Sequence, residues 1–567
     1  TGMEIRMRSR RKHRYRTGLI AVVAVVVLAV LASGTFLVKR YAPSKEWMDG
    51  YKYFEVDSNT DKTFVIIDNK SYSDIGVMRD DVLYLPVDFV SDYINVRFYY
   101  DKESNAVLYT DDSRTYIYEP DSTGYKDSDG NTYDSEYKIA CEIDGTMYIA
   151  FQYVADYTNC TYAYGSKPSR LSVNMINGEV SRVTAKKDMY RGGVKSDILE
   201  QINKGDSVYY VESFDDWIKV ISATGYTGYV KSSDVSEVYT EVPDNTYESE
   251  YAGLSISQKV KLGWFQVAGT AGNDNYTQLT GLSNINVIAP TWYSITSENG
   301  SMSNYSSTSW VNAMHNRGLQ VWPLVDDFNK SVDFKALYSS RTARKTMIDT
   351  LIKDARAYGY DGINLDLENV KSDYAKDFLQ FVRELSVECH KNNIILSTDN
   401  YKPEAYNSCY NLKEQSDYVD YAIVMAYDEH YAGSEAGSVA SLPFVKEAVE
   451  DMTALVPADK VVVGIPFFTR IWSVSQTSTT SSAVGMQAAI DELNKDGQTA
   501  IWNDDAGQYV CSYDKNGVTR KIWFEEDKSI EEKLKVVVDN NTAGIAVWKL
   551  GLEKASVWNV INQYIND

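Results

Sequence analysis

Asp361-Gly362-Ile363-Asn364-Leu365-Asp366-Leu367-Glu368 alternates polar and aliphatic side chains, so that Asn364, Asp366 and Glu368 fall two residues apart. In an extended strand that spacing aims all three at one face. A carboxamide and two carboxylates crowded on a buried face cost several kcal/mol unless they bond one another or are used. Crowding also pushes one carboxyl pKa upward, which keeps a glutamic acid protonated near neutral pH and able to act as a general acid. A solvated face or a calcium site would draw on the same residue types. The flanking Ile363, Leu365 and Leu367 favour a buried catalytic strand.

Such a row needs a scaffold that brings several strand ends together. From about Ser255 the chain alternates buried-strand runs with helical stretches, the rhythm of a (β/α)8 TIM barrel of ~250 residues or more. The strand candidates are 260–267, 285–291, 319–325, 362–367, 394–398, 421–426, 461–465 and 544–548, with helices expected over 342–358, 372–392 and 444–455. Chemistry in such barrels sits at the C-terminal strand ends. Met425-Ala426-Tyr427-Asp428 closes the sixth candidate and Trp548 lies at the end of the eighth.

The 361–368 segment resembles the DxxDxDxE signature of family 18 glycoside hydrolases, and Met425-Ala426-Tyr427-Asp428 resembles that family's MxYD element. The resemblance implies that Glu368 protonates the glycosidic oxygen, while Asp366 orients the substrate's 2-acetamido group and stabilises its developing charge. It further implies that Tyr427 contacts the acetamido carbonyl, that Asp428 binds the −1 sugar, and that Trp548 floors that subsite. With the acetamido oxygen as nucleophile no second catalytic carboxylate is needed, and the anomeric configuration is retained. Asn364 stands where the signature has its middle aspartate. Proton sharing between Asp366 and a deeper carboxylate is therefore expected to be lost and the pH profile altered.

Tyr360–Asn364, Gly464–Arg470, Ile522–Glu526 and Trp548–Gly551 are similar to the spore-germination and cortex-lytic type of N-acetylglucosaminidase within that family, in which Asn at 364 is familiar. About 471–522 is expected to hold a small α+β insertion walling the cleft. No cofactor or metal is required.

The upstream half is accessory. Arg6, Arg8, Arg10, Arg11, Lys12, Arg14 and Arg16 precede an uncharged run from Leu19 to Val38, and the whole chain carries a net charge of −22. The acidic body argues against nucleic acid as a partner. A basic cytoplasmic tail (1–16) and a transmembrane anchor (17–40) are expected, giving a single-pass cell-membrane protein whose body faces the wall; a cleaved signal peptide is the competing reading. Five cysteines without CxxC pairing read as buried apolar residues, with Cys160 a core thiol in preference to a disulfide with Cys141.

Within 60–177 the chain repeats at a period of 64: Tyr84, Phe89, Val90, Asn95 and Tyr100 align with Tyr148, Tyr153, Val154, Asn159 and Tyr164. This duplicated α+β pattern resembles the non-catalytic N-terminal domain of copper amine oxidases, which implies a scaffold with envelope-protein partners. Short alternating strands over 181–237 resemble the bacterial SH3-like domain, which implies wall binding, and 238–254 reads as a linker into the barrel domain, 255–567. The wall-type modules narrow the implied polymer from any N-acetylglucosamine chain to peptidoglycan. A chitinase, or a catalytically silent glycan-binding barrel, is the alternative.

Overall fold

In the computed structural model, residues 45–186, 189–192, 197–248, 251 and 253–565 are described. They form two compact units, one containing 45–95 and 148–248 and the other containing 96–147 and the chain from 251 onward.

In the second unit eight parallel strands close on themselves. They are β1 (Val260–Phe265), β2 (Val287–Pro290), β3 (Gln320–Val321, continued by Leu324–Asp326), β4 (Gly362–Asp366), β5 (Ile395–Tyr401), β6 (Tyr421–Met425), β7 (Val461–Pro466) and β8 (Gly544–Trp548). Closure is made where β8 pairs with β1, Val260 opposite Gly544 and Gly263 opposite Val547. All eight expected strands fall on these elements. The third is interrupted at Pro323, which has no N–H for a ladder bond, so one part pairs with β2 and the other with β4.

The barrel has two apolar layers, as period-two strands demand. Ile363, Leu365 and Leu367 of β4 join a large cluster that also contains Leu351, Phe378 and Leu385 from the surrounding helices, whereas Leu262, Trp264, Trp322 and Ile423 form a separate cluster. Gly362 is required by this packing: a Cβ there would lie 2.6 Å from the Trp322 ring. The expected helices occur at α1 (Arg341–Tyr358), α2 (Ala375–Lys391) and α3 (Leu442–Thr453). The insertion is a five-stranded antiparallel sheet running from Phe468–Val474 to Val518–Trp523, with one helix, Met486–Lys495.

Residues 96–147 belong to this unit, which divides the 60–177 span expected to be one domain. Their five-stranded sheet, from Phe98–Asp101 to Thr132–Asp134, packs on α1, α2 and the Leu412–Gln415 turn through buried polar groups. Arg344 bridges Asp101 (3.2 Å) and Glu384 (3.0 Å) with both Arg344 and Asp101 side chains wholly buried. Arg97 and Arg383 share Glu414 at 3.1 and 2.8 Å, and the Tyr99 hydroxyl donates to Asp377 at 2.5 Å.

In the first unit the two copies of the repeat form matching strand–helix pairs, Val82–Pro86 with Val87–Tyr93 and Thr146–Ala150 with Phe151–Asp156. The two strands pair antiparallel, Leu85 opposite Ile149. After that the copies part: Phe98–Asp101 enters the sheet packed on the barrel helices, while Cys160–Gly165 pairs with Arg170–Met175. A second antiparallel sheet spans 180–241, and its last strand, Tyr239–Glu241, takes in residues expected to be linker. The cysteines are free thiols, buried except for the half-buried Cys409.

The anchor expected over 17–40, and the basic tail before it, lie outside the described residues. Among the described residues no helix is long and apolar enough to cross a membrane. The single-pass membrane placement is corrected accordingly.

Candidate active site

Asn364 and Asp366 are buried on the inward face of β4, and Glu368, just past its end, is half-buried at the rim. Asn364 is saturated. Its Oδ1 accepts from the Trp264 indole N–H at 3.0 Å, and its Nδ2 donates to Ser397 Oγ at 3.0 Å and Asp399 Oδ1 at 2.8 Å. Because the indole can only donate, the orientation of the amide is fixed, with its N–H2 toward β5.

Asp366 is 5% exposed, and its Oδ1 is buried without a hydrogen-bond partner. Burial first, then the Asp399 and Glu368 carboxylates, hold the Asp366 carboxyl well above the usual carboxylate range. Glu368 is likewise raised, by burial, against the opposing effect of the Tyr401 hydroxyl, which donates to Glu368 Oε2. A glutamic acid raised in this way at the end of a barrel strand is suited to passing a proton to a leaving group.

The turn after β4 is pinned by two groups. The buried Asp327 carboxylate accepts from Glu368 N–H (2.9 Å), Asn369 N–H (2.8 Å) and Asn369 Nδ2 (3.0 Å), and the Tyr410 hydroxyl donates to the Leu367 carbonyl at 3.0 Å. They fix the backbone from which the Glu368 side chain departs.

At the end of β6 the Tyr427 phenol is raised well above its usual range by burial and by the charges of Asp366, Asp399, Asp428 and Glu368. Its ring lies edge-on to Phe468, centroids 6.2 Å apart. Asp428 sits in the left-handed region at φ 57°, and Met425 lines, with Glu368, Asp399, Tyr401 and Tyr410, a small cavity of about 10 Å3. Trp548 at the end of β8 lies edge-on to Trp264, ring centroids 5.8 Å apart, and with Tyr427 packs against the barrel's inner cluster.

Asp399, Tyr401 and Asp327 were not singled out from the sequence. The first two carried a signal: continuing the period of β5 past Thr398 sets Ser397, Asp399 and Tyr401 on one face, as in β4. Tyr401→Phe removes a donor to the ionised form of Glu368, so that carboxyl rises further. We expect the alkaline limb of kcat/KM to move to higher pH and kcat to fall roughly tenfold through lost positioning, as read from a pH–rate series.

Residues 262–553, 292 of the 567, match Glycosyl hydrolases family 18. The chain belongs to this family. It is 26% identical over 330 residues to the uncharacterized glycosylase YvbX of Bacillus subtilis (strain 168), covering 56% of this chain and 92% of that protein. To the cortical fragment-lytic enzyme of the same organism it is 24% identical over 241 residues, 41% of this chain and 56% of the relative. The crystal structure of the Bacillus cereus spore cortex-lytic enzyme SleL superposes with a TM-score of 0.50 at 19% identity, covering 57% of this chain and 78% of that one, a likeness of fold. The sequence-level resemblance to the family is thereby correct at the level of the barrel.

Proposed function

We propose that the family 18 barrel is a retaining glycosidase that cleaves β-1,4 bonds on the reducing side of N-acetylglucosamine, with peptidoglycan as its polymer. The observation that carries this reading is two carboxyls two residues apart at one barrel strand end, Asp366 buried with an unpartnered Oδ1 and Glu368 at the rim, accepting from Tyr401. The names of its cortex-lytic relatives support peptidoglycan over chitin.

In this scheme the acetamido oxygen attacks C1 while Glu368 gives its proton to the departing glycosidic oxygen, forming an oxazolinium ion and a free sugar hydroxyl. Asp366 accepts the acetamido N–H, and the negative charge of the carboxyl cluster it belongs to offsets the positive charge on the ring. Tyr427 donates to the acetamido oxygen and holds it against C1. Water then adds to C1 from the face the leaving group vacated, losing its proton to the Glu368 carboxylate, and two inversions give net retention. Asp428 and Trp548 hold the sugar in the −1 subsite, and the antiparallel sheet over 180–241 serves as an SH3-like wall-binding module.

The test is product analysis with the full chain on purified peptidoglycan and on chitin oligomers in parallel. Products ending in reducing N-acetylglucosamine, formed first as the β-anomer in an NMR time course, are expected from peptidoglycan. Faster release from the chitin oligomers would transfer the assignment to a chitinase. Binding to both without turnover would leave only a glycan-binding barrel.

A further inference from the structure

The sequence departs from its family at Asn364, and the loss of a deep proton partner for Asp366 was expected to follow. A carboxylate nevertheless lies beside Asp366, supplied by the next strand. In the parallel register of β4 and β5, Asn364 stands opposite Ser397 and Leu365 opposite Thr398, so one further step sets Asp366 beside Asp399. Both carboxyls are buried, 5% and 4% exposed. Asp366 Oδ1 and Asp399 Oδ2 are each buried without a hydrogen-bond partner, while Asp399 Oδ1 accepts from Asn364 Nδ2 at 2.8 Å.

Two adjacent buried carboxyls with one unsatisfied oxygen each are poorly placed to be both ionised. Like charges on neighbouring buried strand positions disfavour one another, and each orphan oxygen carries its full desolvation cost. A single proton between them removes both problems. Asn364 decides which partner keeps the charge. Its carbonyl is occupied by the Trp264 indole, so it can only donate to Asp399, and that donation stabilises the ionised form there.

We propose that Asp399 is a positioning residue that shares one proton with Asp366, taking over from β5 the part that an aspartate at 364 would play on β4. In the resting site the Asp366 and Asp399 carboxyls hold one proton between them. When Glu368 protonates the glycosidic oxygen it becomes a carboxylate, and Asp366, keeping the shared proton, turns it toward Glu368, leaving the negative charge on Asp399. No proton is gained or lost by the trio beyond the one Glu368 delivers. The other titratable groups facing this pair are Glu368 on β4, Asp327 at the end of β3, Tyr401 on β5, and Tyr427 and Asp428 after β6. Asn364 is consistent with the same logic, since an aspartate there would add one more carboxylate to an already crowded strand face.

The inference rests on the hydrolase reading, and its test separates the two. The pH dependence of kcat would be measured on a soluble peptidoglycan fragment, whose sugar leaving group needs the acid, for wild type, Asp399→Asn, Asn364→Asp and the swap Asn364→Asp/Asp399→Asn, with Glu368→Gln as control. Removing the Asp399 charge makes Asp366 release its proton more readily. Asp399→Asn should therefore lower kcat at least tenfold and move the alkaline limb to lower pH by about one unit. Asn364→Asp alone adds charge and should move that limb to higher pH. The swap should return both kcat and the limb most of the way to wild type.

A folded Asp399→Asn with the wild-type profile overturns the proposal, as does a swap no better than the single variant. If Asp399→Asn does not fold, an unshifted profile in Asn364→Asp overturns it. Wild-type turnover by Glu368→Gln would sink the hydrolase reading itself, whereas an inactive Glu368→Gln beside an unchanged Asp399→Asn sinks only the role of Asp399.

Discussion

Glu368→Gln is expected to lower kcat on a natural glycan by about 10^3-fold, within the 10^2 to 10^4 that a general acid contributes. The amide is nearly the same shape and can still accept from Tyr401 Oη, so substrate binding and KM should stay close to wild type. What it cannot do is deliver a proton to a sugar alkoxide, a poor leaving group. The size of the loss should therefore depend on the leaving group. On a 4-nitrophenyl glycoside, whose phenolate departs without protonation, the first step should lose roughly tenfold or less, because most of the acid's contribution is then unneeded. Steady-state kinetics on the two substrates side by side would check this. An equal loss on both would assign Glu368 to holding the site together.

The second large effect is expected at Asp366. Asp366→Asn keeps the volume but can no longer share a proton with Asp399 and Glu368, so the site answers the developing oxazolinium less well and the attack of the acetamido oxygen itself is weakened. An electrostatic contribution of this kind is worth about 10^2 to 10^3 in rate. Here the loss should be similar for natural and activated leaving groups, since both depend on the same nucleophile. A substrate whose N-acetyl is replaced by N-trifluoroacetyl, a poorer nucleophile, should be slowed in wild type and slowed further in Asp366→Asn. The contrast with Glu368→Gln separates the acid from the group that steers the nucleophile. Leaving-group dependence at Asp366 would reverse the two assignments.

The sequence made the barrel legible because its strands obey a period of two with aliphatic outer faces, and Ile363, Leu365 and Leu367 do pack outward while Asn364 and Asp366 face inward. Glu368 and Asp366 were visible for the same reason. Asp399 and Tyr401 share that pattern on β5 but lie hidden, since the apolar run Ile394–Leu396 gives out at Ser397 and the expected strand stops three residues short of the observed one. Asp327 had no periodic signal at all: it follows β3, and its work is done on backbone N–H groups 41 and 42 residues further along the chain.

The fate of residues 96–147 was also beyond local reading. The 64-residue repeat aligns Val96–Tyr100 with Cys160–Tyr164, yet only the first copy carries Arg97 and Tyr99, whose partners Glu414 and Asp377 lie 317 and 278 residues away. Periodicity describes a segment's faces and says nothing about which distant surface will meet them.

The clamp at Arg344 sets an order on the birth of the molecule. A ribosome delivers the chain N-terminus first, so Asp101 emerges long before Arg344, its partner 243 residues later. Until the barrel helices exist, Asp101, Arg97 and Tyr99 must remain hydrated, because burying one member of such a set without the other leaves a bare charge in a dry interior. The sheet over 98–134 therefore joins its unit late, as a keystone set after the arch. A gene fragment started at Ser255 would yield an arch without it, with Arg344, Arg383 and Glu414 turned out to water.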